Sequence, residues 1–83
     1  MSFSREDVLT TVTQWFPNED SATVMSVLDF YGIDTYERER ERVQIAILKL
    51  SQGNADKLLH NVQVAKQDYR DVLYWAEYSN DKG

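Results

Sequence analysis

Apolar side chains recur every three or four positions along the C-terminal third of the chain. After Asn54 they form an unbroken series, spaced alternately four and three residues apart: Leu58, Val62, Ala65, Tyr69, Val72 and Ala76. This spacing places the residues on one face of an α-helix. We therefore predict one long helix over residues 55–78. A break at Gln67 and Asp68 is the alternative, because Asp68 with Asp71 could cap a separate short helix.

The first segment of the chain carries its own start and stop signals for a helix. Ser4 is a candidate N-cap with Asp7 three residues on, and apolar residues follow at helical spacing as far as Trp15. Pro17 ends this segment, since proline disfavours the α conformation of the residue before it. A helix is therefore predicted from about Ser4 to Trp15.

A second helix is predicted to begin at 18–20 and to reach Tyr31. Acidic residues stand in its first turn, where the helix dipole favours them. Gly32 is expected to end it in a left-handed conformation, and Ile33 is expected to fold back onto the last turn.

The third helix is predicted to start with a capping pair formed by Asp34 and Glu37 and to run to about Ser51. Gly53 then supplies a C-terminal glycine, and Asn54 is the N-cap of the next helix. A connection this short favours an antiparallel helical hairpin.

These elements predict an all-α fold. Two short N-terminal helices would pack on an antiparallel helical hairpin whose second member is the long C-terminal helix. Strands are not predicted, because β-branched residues are scattered and hairpin turn dipeptides are missing. The 83 residues are expected to form a single domain, 1–83, with a disordered tail at about 79–83.

Six consecutive charged residues, 37–42, precede the apolar part of the third helix. Opposite charges three positions apart would stabilise a solvated helix start by about 0.2 to 0.5 kcal/mol per pair. The alternative is an anion-binding stripe, because Arg38, Arg42 and Lys49 project along one side of the predicted helix. The glutamates between the arginines weaken that stripe as a reader of nucleic acid.

A second stripe on the long helix runs through Val64, Asp68, Asp71, Trp75 and Tyr78. One interpretation is that the first two helices cover it and complete the core. The other is that its aromatic end stays exposed and binds a protein partner, since aromatic residues and arginine are enriched in interface hot spots. The candidate partner-binding residues are Arg70, Asp71, Tyr74, Trp75 and Tyr78.

Composition narrows the classes of function. The chain has no cysteine, which excludes disulfides and thiolate chemistry and favours an intracellular, cytoplasmic location. Its net charge of −5 opposes general binding to phosphate backbones, and no apolar run is long enough to span a membrane. No motif for catalysis, cofactor or metal binding is found, and His60 is predicted to be a surface residue. An enzyme is not expected, and no cofactor is expected.

The stretch "RERVQIAILKLSQGNADKLLHNVQVAKQDYRDVLYWAEYS", about half the chain, resembles a group of small bacterial proteins that share a run like "VQ-A-LKLS-G" followed by "DYRDVL-WAEY". The resemblance implies a bacterial cytosolic all-α protein and brings no activity or ligand with it. The leading hypothesis is a small non-catalytic protein-protein interaction or regulatory module, with a homodimer as one form of the interaction. The alternative is a nucleic-acid-associated regulator that uses the stripe on the third helix.

Overall fold

Five α-helices and no strand make up the regular structure of residues 3–33 and 39–78, the ranges that this computed structural model describes. The chain is therefore all-α over these ranges, as predicted. Their Cα atoms have a radius of gyration of 11.6 Å. The helices are α1 (Arg5–Trp15), α2 (Ser21–Leu28), α3 (Arg40–Ser51), α4 (Ala55–Gln67) and α5 (Tyr69–Tyr78). The predicted tail, 79–83, lies outside the described residues.

The start of α1 is the capping box that the sequence predicts. The Asp7 backbone N–H donates to Ser4 Oγ at 3.2 Å, and the Ser4 N–H donates to Asp7 Oδ2 at 2.9 Å. These two bonds satisfy donors that a helix N-terminus otherwise leaves without an intrahelical partner. The helix ends at Trp15, two residues before Pro17. Both predicted ends of α1 are confirmed.

The second helix is shorter than predicted. It ends at Leu28, and a turn continues from there to Gly32, whose φ of +109° is in the region that favours glycine. Ile33, expected to fold back onto the helix, is 68 % exposed instead. The turn is held from outside by the Gln44 amide, which donates to the backbone carbonyl oxygens of Leu28 at 3.0 Å and Tyr31 at 3.2 Å.

The third helix starts later than predicted, because Glu39 adopts a left-handed conformation with φ of 51°. The helix begins at Arg40, so the last three residues of the charge block, 40–42, belong to α3. The predicted capping pair, Asp34 and Glu37, lies outside the described residues. Further on, all six residues of 43–48 are buried, so the middle of α3 lies in the core.

The prediction of one long C-terminal helix was wrong. Helix α4 ends at Gln67 and α5 begins at Tyr69, because Asp68 is extended, with φ of −158° and ψ of 99°. The Asp68 carboxylate accepts a hydrogen bond from the Arg70 backbone N–H at 3.0 Å. Such local bonding lets aspartate compete with continued helix and cap a new one. The structure therefore has the alternative break at Gln67 and Asp68.

The apolar seam is buried on both sides of this break. Helix α3 packs against α1, α4 and α5, and α2 contacts α1 and α4. Asn54 caps α4 as predicted, its side chain accepting from the Lys57 N–H at 3.0 Å. The seam residues in the core are Leu58, Val62, Ala65, Val72 and Ala76.

Buried polar side chains tie α3 to its neighbours. Gln44 is fully buried, and its Oε1 lies 3.5 Å from Arg5 Nη1. Arg5 in turn donates two bonds of 2.7 Å to the Asp29 carboxylate. At the other end of α3, Asn61 of α4 donates to Ser51 Oγ at 3.1 Å. The buried side chains Gln44, Ser51 and Asn61 thus follow the rule that buried polar groups find hydrogen-bond partners.

Candidate interaction surface

Helix α5 divides into a buried face and an exposed face. Val72, Leu73 and Ala76 are buried against the rest of the chain. The exposed face holds four of the five predicted partner-binding residues, which we call the α5 surface: Arg70, Asp71, Tyr74 and Trp75. The fifth predicted residue, Tyr78, is the last residue of α5, and its side chain lies outside the described part of the chain.

The two aromatic side chains of the α5 surface are exposed, Tyr74 by 58 % and Trp75 by 45 %. The sequence left open whether this end of the stripe is core or surface, and the exposure places it at the surface. Residues three and four positions apart are neighbours on a helix. Asp71 therefore stands one turn before both rings, and Arg70 one turn before Tyr74.

The positive charge of the α5 surface is compensated locally. Arg70 Nε donates to Asp68 Oδ1 at 3.0 Å, and Nη2 donates to Oδ2 at 3.1 Å. The hydrogen bond from Arg70 is the main reason that the pKa of Asp68 is lowered, and the same bond raises the pKa of Arg70. Asp68 and Arg70 thus form a neutral pair at the joint between α4 and α5.

Asp71 is different from Asp68 in this respect. It is exposed in the first turn of α5, and within the described ranges its carboxylate forms neither an ion pair nor a side-chain hydrogen bond. Its negative charge therefore faces solvent beside the two rings. The α5 surface combines a compensated cation, a solvated carboxylate and two aromatic side chains.

Arg42, the central residue of the alternative anion-binding stripe, is already bound to carboxylates of the chain. Arg42 donates to both carboxylate oxygens of Glu77 at 2.8 and 2.6 Å, and to Glu39 at 2.9 Å. These bonds raise the pKa of Arg42, and its hydrogen bonds lower the pKa of Glu77. The Glu39–Arg42 pair was among those predicted from the charge block. An external anion would have to compete with both carboxylates for Arg42.

Of the other two members of the stripe, Arg38 lies outside the described residues, and the charge of Lys49 helps to lower the pKa of Glu77. Lys49 is exposed two turns beyond Arg42 and lines a groove of about 400 Å³ between α1 and α3. The described residues therefore do not gather an open cluster of cations on α3.

Sequence reasoning missed two grooves on the described surface. The larger one, between α1 and α3, is lined by Phe3, Asp7, Thr10, Thr11, Gln14, Ile45 and Lys49. The smaller one, about 280 Å³, is lined by Phe30, Leu59, Val62, Gln63 and Lys66. Leu59 is an apolar residue outside the periodic series of α4, and this position was the signal in the sequence that could have indicated the smaller groove. Phe30 was not distinguishable from a core residue.

Residues 3–33 and 39–78 contain neither a metal-binding cluster nor a helix suited to span a membrane. His60 is exposed, as predicted. No group of three or more His, Cys, Asp or Glu side chains in these ranges could hold a metal ion. None of the helices described is both long and apolar enough to cross a membrane.

Comparison with protein-family models, curated proteins and solved structures found no match to this chain. The resemblance of residues 40–79 to a group of small bacterial proteins therefore stays a prediction.

Proposed function

We propose that the chain is a small non-catalytic interaction module that binds protein through the α5 surface. The observation that carries the proposal is the exposure of Tyr74 and Trp75 side by side on a helix whose opposite face is buried. Large aromatic side chains at a surface lose contact with water when a partner covers them, and they dominate many interface hot spots. Fixing α5 to the core reduces the entropy that binding would cost.

The position of α5 in the fold supports a rigid surface. Val72, Leu73 and Ala76 anchor the helix in the core, and the Arg42–Glu77 pair joins its C-terminal end to α3. Because α5 is fixed to the rest of the chain along its length, the side chains on its exposed face keep a fixed arrangement that a partner can bind. The proposal includes binding to a second copy as one form of the interaction.

A non-catalytic role is supported by the grooves. The larger groove holds one carboxylate, Asp7, which serves the capping box of α1. The smaller groove has mostly apolar walls and no carboxylate. Acid-base catalysis needs titratable groups gathered at a reacting atom, and neither groove described supplies such a group of residues.

The nucleic-acid alternative rests on Arg38, Arg42 and Lys49 and has weaker support. Arg42 is engaged by Glu39 and Glu77, and the chain carries a net charge of −5. If duplex DNA bound at low salt and lost affinity on changing Arg42 and Lys49 to glutamate, this alternative would replace the first proposal.

The finer architecture also belongs to the proposal. We take α3 and α4 to form an antiparallel hairpin on which α1 and α2 pack, because residues 52–54 leave room only for a tight connection. Nuclear Overhauser effects between the start of α3 and the end of α4 test this arrangement.

The test of the proposal is affinity capture from an extract of the native cells with two matched tryptophan variants. Trp75→Ala removes the centre of the α5 surface, whereas Trp15→Ala removes a comparably exposed tryptophan of α1. We expect Trp75→Ala to lose the captured protein and Trp15→Ala to retain it. Retention by Trp75→Ala would refute the proposal. Sedimentation of the pure chain over a range of concentrations identifies the case in which the captured protein is a second copy.

A further inference from the structure

We infer that the partner surface recognised by α5 is basic, and that Asp71 with Tyr74 and Trp75 receives a lysine or arginine side chain of that partner. The inference rests on the proposed function and names the class of partner. Its starting observation is that an exposed carboxylate stands one turn before two exposed rings on the same face.

These three groups suit a cation in complementary ways. The face of a tryptophan or tyrosine ring attracts an ammonium or guanidinium group, because the ring quadrupole is negative above its plane. The Asp71 carboxylate adds an ion pair and accepts hydrogen bonds from the same group. A lysine or arginine also has an apolar stem that would cover the rings while its head reaches Asp71.

The charges around this site point in the same direction. Arg70 is the cation of the α5 surface, and its guanidinium is bound to both oxygens of Asp68. Arg42 is bound to Glu39 and Glu77, so it presents little positive field to a partner. Asp71 forms no ion pair within the described residues, although it adds to the negative charge that acts on the neighbouring Arg70.

The net charge of the whole chain reinforces this selection. At −5 the molecule attracts basic partners over long range and repels other acidic ones. A second copy carries the same net charge, so self-association is disfavoured at low ionic strength relative to binding of a basic protein. The electrostatic term thus favours a basic partner over a copy of the chain.

The inference is tested with three synthetic peptides that share one apolar framework and carry lysine, glutamine or glutamate at the same polar positions. Affinity is measured by calorimetry, and the site is located by backbone amide shifts. The lysine peptide should bind most tightly and shift the amides around Asp71 and Trp75. Asp71→Asn should weaken it about three- to fivefold. The matched control, Asp56→Asn, removes an exposed first-turn carboxylate of α4 and should change affinity less than about twofold.

The inference is overturned if the glutamine or glutamate peptide binds as tightly as the lysine peptide, or if none of them binds. It is also overturned if Asp71→Asn and Asp56→Asn weaken binding equally, which would indicate attraction to net charge alone. The proposed function is judged separately by capture with Trp75→Ala. Loss of capture in that variant together with no preference for the lysine peptide would leave the interaction module standing and remove the basic partner.

Discussion

Gln44 shows how much one residue contributes when tertiary contacts decide its role. Its amide is fully buried and binds carbonyl oxygens of the turn after α2. In the sequence Gln44 is a polar residue close to the charge block, and no spacing pattern indicates that it is buried. Periodicity locates apolar faces, but it does not locate a buried amide that satisfies another helix end. Prediction from sequence therefore missed it.

Replacing Gln44 with methionine should destabilise the fold by about 1 to 3 kcal/mol, because the volume is kept while buried carbonyl groups lose their donor. The matched control is Gln63→Met on the exposed face of α4, which should change the free energy of unfolding by less than about 0.5 kcal/mol. Urea denaturation followed by circular dichroism measures both. Equal effects of the two variants would contradict the role given to Gln44.

The pH dependence of stability has a residue-scale cause in the Arg5–Asp29 pair. Hydrogen bonds from Arg5 lower the pKa of Asp29 below its ordinary value of 3.8. The pair therefore stabilises the fold above that value, and its contribution is lost as the pH falls through the lowered pKa. Because the two side chains are 41 % and 43 % exposed, we expect a contribution of only about 0.5 to 1 kcal/mol.

Asp29→Asn should accordingly cost about 0.5 to 1 kcal/mol at neutral pH and almost nothing at about pH 2. Comparing the variant with the parent at each pH isolates this pair from Glu77 and Asp68, whose pKa values are lowered by other arginines. Unfolding curves at both pH values are the measurement. A cost that stays constant or grows on acidification would show that the ion pair is not its origin.

At the scale of elements, the joint between α4 and α5 marks where pattern reasoning succeeds and fails. The apolar seam was identified correctly, since its members on both sides of Asp68 are buried. Its spacing does not distinguish one helix from two helices that keep their apolar faces together. The deciding event is the bonding of Asp68 to Arg70, a local competition between side chain and backbone. The capping box of α1 was predictable because both of its partners lie within four residues.

Changing Asp68 to alanine should loosen the start of α5, because the Arg70 N–H loses its acceptor. We expect amide exchange in the first turn of α5 to accelerate by about three- to tenfold, while α1 is unaffected. Asp68→Asn keeps a side-chain oxygen at the same position and serves as the control, with exchange close to that of the parent. Unchanged exchange in Asp68→Ala would mean that the start of α5 is held by something other than this aspartate.

At the scale of the whole molecule, function depends on which face of each helix the core leaves outside. Six consecutive residues of α3 are buried, because other helices pack against it on several sides, whereas α5 keeps one face exposed. The sequence named the residues of that face but could not decide between core and surface, since either would show the same spacing. In the structure both α1 and α5 pack against α3, and this arrangement leaves the aromatic face of α5 at the surface. The remaining exposed aromatic surface is the basis of the proposed interaction.

The most direct measurement places a photo-crosslinking amino acid at position 74 and, as a control, at position 59. Both positions hold exposed large apolar side chains, but Leu59 lies at the groove beside Phe30, away from the α5 surface. Irradiation in the native cells should give a discrete protein adduct from position 74 and none from position 59. No adduct from position 74, or the same adducts from both positions, would contradict the assignment of α5 as the binding surface.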